Sequence, residues 1–311
     1  MRFVTPMSVS EPVLVIGFNR PRHLRAVLDR LSELRVDDLY VALDGPRNED
    51  DEVLVAECRE MVRGIDWAGD IHTNFQDHNL GCGPGVTEAI SWFFDHVDRG
   101  IILEDDIVPD PTFFDFCSEL LDRYENDDRV FAVSGCNLVP EEGLEDPGAA
   151  YRFAQITHVW GWATWRRSWL QHTLDLDSWY RELPLKRLWE GSGRSLPGVL
   201  FWAGNYEAIR RDVVDTWDWP MNYAAMRSGQ LTATSNVNLV ENIGFDPSAT
   251  HTTEGDAGLM PVGPARTPSS PVPVRKDRKA ERWTRRHHWN ATYLGTLDRI
   301  RKLAALKGGN P

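Results

Sequence analysis

The stretch Pro12–Phe18, PVLVIGF, is the feature that most limits the possible folds. It is apolar at consecutive positions and rich in β-branched residues, which suits a strand covered on both faces rather than a half-solvated strand that would alternate. Asn19, Arg20 and Pro21 end it, and RHLRAVLDRLSEL then places Leu24, Val27, Leu28 and Leu31 at helical spacing. DLYVALDG reads as a second strand ending at Asp44-Gly45-Pro46, DEVLVAECREMVRGI as a second helix, and GDIHTNFQ as a shorter third strand. The loop NLGCGPGV (Asn79–Val86) opens the apolar helix TEAISWFFDHV, and RGIILEDD, FFDFCSELLDRYEN and VFAVSGCN continue the alternation. Strands and helices in alternation through short turns predict an α/β fold: a mostly parallel sheet with helices on its faces. Ligands of such sheets bind beyond the carboxyl ends of the strands. Asn19, Asp44 and the Glu104–Asp106 cluster each follow a strand and are expected to converge there.

After about Pro147 the pattern loosens and aromatic residues crowd in, most of the 13 Trp falling between Trp160 and Trp219. WRRSWLQHTL, SWYRELPLKRLW and YEAIRRDVVDTW read as helices, and QLTATSNVNLVENIGF as one or two short strands. From about Gly255 a Pro/Ser-rich linker in extended form leads to the basic run Arg275–Arg286 and a final amphipathic helix, NATYLGTLDRIRKLAAL. The division expected is a nucleotide-binding half over 1–148, an acceptor-side half of the same domain over 149–254, and a linker with a basic tail over 255–311. The net charge of −13 repels nucleic acid and anionic membrane except at that basic run, which reads first as a solvated helix face. Cys58, Cys82, Cys117 and Cys136 show no metal-site or paired spacing. With no secretory segment and no apolar run near ~18 residues, the expectation is a reduced cytoplasmic protein without a transmembrane segment. The basic tail leaves peripheral membrane contact open.

The run IILEDDIVPD puts three carboxylates, Glu104, Asp105 and Asp106, directly after an apolar strand. Acidic residues can serve a helix N-terminus, but Asp110 is better placed for that role at the helix beginning near Thr112. Carboxylates taken out of water beside each other need a cation. Mg²⁺ or Mn²⁺ accepts one or two carboxylates and fills its other positions with water and phosphate oxygens. Downstream, DTWDWPMN sets Asp218 between Trp217 and Trp219. Partial desolvation there suits a general base; an Asp that merely starts a helix at Pro220 is the plainer alternative.

Six stretches carry a family resemblance: VIGFNRPRHLRAVLDRL, ALDGPR, NLGCGPGVTEAISWFFDHVDRGIILEDDIVPDPTFFDFC, HVWGWATWRRSW, TWDWPMNYAAM and NVNLVENIGFDPSATHT. Spanning roughly Val13 to Thr253, they resemble GT-A fold (Rossmann-like) glycosyltransferases, in particular inverting enzymes related to N-acetylglucosaminyltransferase I and bacterial family-2-like (hemolysin-like) sugar transferases. The resemblance implies roles for individual residues. Asp106 would be the metal ligand, Asp105 would lie against the ribose or donor sugar, and Glu104 would bond the sugar. Asp44 would face the base, with Asn19 and Arg20 lining the nucleotide pocket. Asp218 would be the catalytic base, where the Golgi enzyme has two adjacent acids. Trp162 would be a stacking platform, whereas Trp160 and Trp165 read equally well as core. His251 in SATHTT would be a second metal ligand, against the plainer reading of a structural His.

The activity implied is a metal-dependent inverting hexosyl- or N-acetylhexosaminyl-transferase. It would use Mn²⁺ or Mg²⁺ and a nucleotide diphosphate sugar, most plausibly a UDP-sugar. The acceptor would be a glycan, a lipid-linked glycan or a small molecule; the net charge disfavours nucleic acid without excluding it. The alternatives are a sugar nucleotidyltransferase, which should carry a Gly-rich phosphate loop that GFNRPRH lacks, and a non-catalytic carbohydrate-binding protein, which would not need the acidic triplet.

Overall fold

In the computed structural model the described residues are 9–245, 260–289 and 291–292. The first half alternates β1 (Val13–Gly17), α1 (Pro21–Ser32), β2 (Asp38–Leu43), α2 (Glu49–Arg63), β3 (Asp70–Phe75), α3 (Cys82–His96) and β4 (Arg99–Glu104). A tight turn leads to β5 (Ile107–Pro109), followed by α4 (Thr112–Arg123) and β6 (Val130–Ser134). The second half adds β7 (Tyr151–Ala154), β8 (Trp162–Trp165), α5 (Arg166–Trp169), α6 (Trp179–Glu182), α7 (Leu185–Gly191), α8 (Leu196–Arg210) and α9 (Asp218–Ser228). It closes with β9 (Leu231–Ser235), β10 (Val240–Asn242) and α10 (Arg278–His287).

Eight of these strands form one sheet in the order β3-β2-β1-β4-β8-β6-β9-β7, and β5 pairs separately with β10. β3, β2, β1 and β4 are mutually parallel; β8 is antiparallel to both β4 and β6, and β7 to β9. The expected mostly parallel α/β sheet is therefore present, with six strands in one direction, and it runs without a break through strands from both sides of position 148.

The run at β1 is covered on both faces, as its unbroken apolar character requires. Val13 and Val15 join a core built with α1, α2 and α4, whereas Leu14 and Ile16 join a second core built with α3 and α9. In α1, Leu24, Val27, Leu28 and Leu31 are the buried apolar positions, each worth roughly 1.5–3 kcal/mol of burial. β3 lies at the sheet edge, and its polar composition follows from that position.

Helix ends in the second half differ from the sequence expectation for local reasons. SWYRELPLKRLW forms two helices because Pro184 separates α6 from α7. The helix expected over YEAIRRDVVDTW begins earlier, where Ser195 caps Gly198, and stops before Asp212, whose φ of 55° no helix continues. α5 is a single turn. Residues 260–277 are extended as expected, but they are laid along the body: Asn238 donates to the Met260 carbonyl at 2.7 Å, Ala265 N–H donates to Thr112 Oγ1 at 2.7 Å, and Val272 N–H donates to the Tyr151 hydroxyl at 3.0 Å. The basic run forms α10, with Ala280 buried, Trp283 packed near Val139 and Leu144, and Arg282 and Arg286 exposed. His251 and nearly all of the expected final helix lie outside the described residues. No described helix is long and apolar enough to cross a membrane.

Gly100 on β4 allows α3 to pack directly on the sheet. An added Cβ would lie 2.3 Å from Phe93 Cζ and 2.9 Å from the Pro12 carbonyl. Gly100→Ala is expected to cost roughly 1–3 kcal/mol by overpacking, seen in urea unfolding as a lower midpoint with an unchanged slope; an unshifted midpoint would contradict this packing.

Candidate functional site

The acidic triplet occupies the end of β4 and the turn into β5. β5 pairs with β10, and Ile243 N–H donates to the Asp106 carbonyl at 2.9 Å, so the 242–245 segment crosses over the turn. Gly244 lets that segment pass close to the turn, since an added Cβ would crowd Asp106 Oδ2. The counter-charge within the chain is Arg20, just past β1. Its Nη1 donates to Asp106 Oδ2 at 2.8 Å, its Nη2 pairs with Asp105 Oδ1, and its Nε donates to Asp105 Oδ2 at 3.3 Å. Asp105 is 2% exposed, with both oxygens on Arg20. Asp105, expected to lie against the ribose or donor sugar, also lines the cavity, with its carboxylate paired to Arg20. Glu104, Asp105 and Asp106 all line the open space, as does Arg20.

That space is a cavity of about 740 Å³ at the carboxyl ends of β1, β2 and β4. Asn19 lines it and donates to Asp51 Oδ1 at 2.5 Å. Asp51 also accepts from Arg47 Nε at 2.7 Å, and these Arg47 bonds hold the Asp51 carboxyl down at about 2. Asp44, expected to face a base, is engaged by its own loop: it accepts from Gly45 N–H at 2.8 Å, Leu80 N–H at 2.9 Å and Asn79 Nδ2 at 2.8 Å. It borders the cavity while tying the 79–81 loop to β2. Beside it lies a group that sequence reasoning missed. Gln76 Nε2 donates to Glu88 at 2.9 Å, and Asn74 Nδ2 to the same carboxylate at 3.1 Å. The two polar side chains alternate at the end of β3 in HTNFQ, and that pattern was the available signal.

On the opposite wall, Asp215 accepts from the N–H groups of Cys82 and Gly83 at 3.0 and 2.8 Å, at the start of α3. A carboxylate complements that end of the helix. Gly81 enters at φ 88°, and a Cβ on Gly83 would meet Asp215 Oδ1 at 2.4 Å, so both glycines are needed for the approach. Thr216 next donates to Asp218, the first residue of α9. The helix-starting alternative therefore describes Asp218's local role, and its side chain also borders the cavity. Cys82 lines the cavity too, but burial and then Glu104 push its thiol up to about 12, leaving it a poor nucleophile.

Trp162 is not a platform. It is 1% exposed, stacks on Trp217 at 5.7 Å, and belongs to the core beneath α9. On β8 the apolar WATW run is enclosed on both faces, which explains the correction. The Trp residues that border the cavity are Trp160, Trp217 and Trp219. Trp160 packs edge-on against Phe245 at 5.6 Å.

Seven carboxylate side chains line this cavity against two guanidinium groups, so an anionic diphosphate could enter only with added positive charge. Among the described residues no group of three or more His, Cys, Asp or Glu side chains is arranged to hold a metal ion. The donor set does fit a hard cation of the Mg²⁺ type, which needs one or two carboxylates and takes its other oxygens from water and phosphate. It does not fit an ion requiring a full protein cage. Glu104 records the charge imbalance: burial, then Asp106 and Asp105, push its carboxyl up to about 8. An ordinary Glu releases its proton near 4.5, so between about pH 4.5 and 8 the folded form binds more protons than the unfolded chain, and stability falls as pH rises. In EDTA the melting temperature is expected to fall from pH 5 to pH 8, and Glu104→Gln to flatten that slope; an identical slope in the variant would contradict this assignment.

No family model matches the sequence, and no curated protein matches it. Two of the solved structures that match it overlap it weakly. One is the apo form of mouse xyloside xylosyltransferase 1, with 14% identity, 70% of this chain and 81% of that chain covered, and a TM-score of 0.30. The other is a mannose-1-phosphate geranyltransferase from Thermus thermophilus, with 14% identity, 74% of each chain covered, and a TM-score of 0.32. At that degree of overlap neither likeness bears on the chemistry here, which rests on the residues themselves.

Proposed function

We propose that the protein is a metal-dependent glycosyltransferase of GT-A type that inverts configuration while moving a sugar from a nucleotide diphosphate sugar, a UDP-sugar first, to an acceptor hydroxyl. The observation that carries this reading is the meeting of Glu104, Asp106 and Asp218 on one cavity at the carboxyl ends of the parallel strands. Asn19, Arg47 and the Asn74–Gln76–Glu88 group offer polar contacts for the nucleoside portion, with Asp44 fixing the adjoining loop. Asp106 would hold the Mn²⁺ or Mg²⁺, with His251 as a further candidate ligand, and Glu104 would bond the donor sugar. When bound, that ion would neutralise charge on the departing diphosphate.

Asp218 is the base in this reaction. The acceptor oxygen bonds to the anomeric carbon as the bond from that carbon to the diphosphate oxygen breaks. The electron pair leaves with the diphosphate, and the acceptor's proton passes to the Asp218 carboxylate. Thr216 and the Asp215 tie to α3 keep Asp218 facing the cavity, and Arg20 keeps the acidic turn in place. A carbohydrate-binding protein would have no use for a base beside an acidic strand end.

Two measurements test this function. In titration calorimetry, UDP is expected to bind wild type with Mn²⁺ and to lose binding in EDTA or in Asp106→Ala. Equal binding with Mn²⁺ and with EDTA would rule out the metal role. Asp218→Asn is expected to lower turnover by ~10²–10⁴ with UDP affinity unchanged, and near-wild-type turnover would remove Asp218 from the mechanism.

A further inference from the structure

A second cavity, of about 340 Å³, lies on the other side of Asp218 and shares Val159, Trp160, Asp218 and Trp219 with the first. Its volume is at the small end of ligand pockets, roughly 300–1,000 Å³. Its walls come from five separated parts of the chain: Leu138 after β6, residues 156–160 before β8, helix α8, helix α9, and residues 288–289 just after α10. Trp289 stacks on Phe201 at 5.9 Å and meets Trp202 edge-on at 5.4 Å. Phe201 and Trp202 are buried, whereas Trp160, Trp219 and Trp289 keep part of their surface open.

The charge pattern is the reverse of the first cavity's. Asp218 is the sole Asp, Glu, Lys or Arg among the lining residues. The remaining titratable lining groups are His158 and His288. Burial, then His288, pushes His158 down to about 3, and burial lowers His288 as well, so both imidazoles are neutral at pH 7. No lining group offers a cation to a phosphate, sulfate or carboxylate. Indole rings, neutral imidazoles and a single Asp among the lining groups suit a ring that has apolar faces and hydroxyl edges.

We infer that this second cavity is the acceptor subsite and takes an uncharged sugar ring, placed among Trp160, Trp219 and Trp289 with a hydroxyl directed at Asp218. The inference rests on the transferase reading above and adds the acceptor's chemical class. It also accounts for the chain around α10. The basic helix anchors on the body through Trp283 and Ala280, and it delivers His288 and Trp289 to the cavity wall.

The test uses the full chain and ligand-observed saturation-transfer NMR without nucleotide. The probes are the methyl glycosides of glucose, galactose, mannose and N-acetylglucosamine, with glucose 6-phosphate and methyl glucuronide as anionic counterparts. At least one neutral glycoside is expected to bind wild type, to bind Trp289→Ala about tenfold more weakly, and to recover most affinity in Trp289→Phe. The anionic probes are expected to bind more weakly than their neutral partners. UDP binding, measured separately, is expected to be the same in all three proteins. No binding by any neutral probe, binding unaffected by Trp289→Ala, or stronger binding by the anionic probes would each overturn the subsite. Trp289-dependent glycoside binding in a protein that fails to bind UDP would support the sugar-ring site and overturn the donor reading instead.

Discussion

The contact between Arg20 and the acidic turn is the constraint on which the rest of the site depends. A buried parallel strand that ends in consecutive carboxylates cannot be left without a cation, because burial and mutual repulsion both disfavour ionisation. The guanidinium forks across Asp105 and Asp106, joining the loop after β1 to the turn after β4. Removing either partner would leave buried charge unpaired, and breaking such pairs typically costs ~3–5 kcal/mol. One cation does not balance the turn, however. Burial keeps Asp105 raised despite Arg20, and Glu104 is raised as well. In the proposed reaction that residual negative charge would attract a metal and, through it, a diphosphate.

The two cavities divide the chemistry by polarity. One is acidic and built at the strand ends, where the sheet's topology would place any ligand of such a fold. The other is aromatic and uncharged apart from Asp218, and it is assembled from parts distant in sequence. Asp218 is the titratable side chain common to both. In the proposed reaction a group at that junction would take a proton from a molecule on one side while the bond that breaks lies on the other.

What could be read from sequence follows the range of each interaction. The unbroken apolar run at β1 and the helical spacing in α1 are local patterns, so the α/β architecture and the convergence of Asn19, Asp44 and Glu104–Asp106 were visible. Asp218 stood out because two Trp flank it. The partner that holds Asp105 could not be read, since Arg20 and Asp105 are 85 residues apart. Asp215 was hidden for the same reason: an acid in a loop carries no mark of the helix it will cap 132 residues away. Trp162 shows the opposite limit. Composition cannot tell an open indole from one enclosed under a helix, and at Trp162 the packing of α9 decides. The contribution of Trp289 was equally hidden, because a Pro-rich stretch reads as a linker until its carbonyls and amides are seen bonded to the body.

The double tie on the α8–α9 connection bears on how this protein can diverge. Surface loops ordinarily tolerate insertions and deletions well. This one is stitched to the start of α3 by Asp215 and to the start of α9 by Thr216, with a single residue, Trp217, between Thr216 and Asp218. Added length between Asp215 and Asp218 would rotate α9 or carry the carboxylate away from the junction of the cavities. The segment should therefore keep a fixed length in functional descendants even where its outer residues drift, and engineers should treat it as part of the frame rather than as a place to graft new sequence.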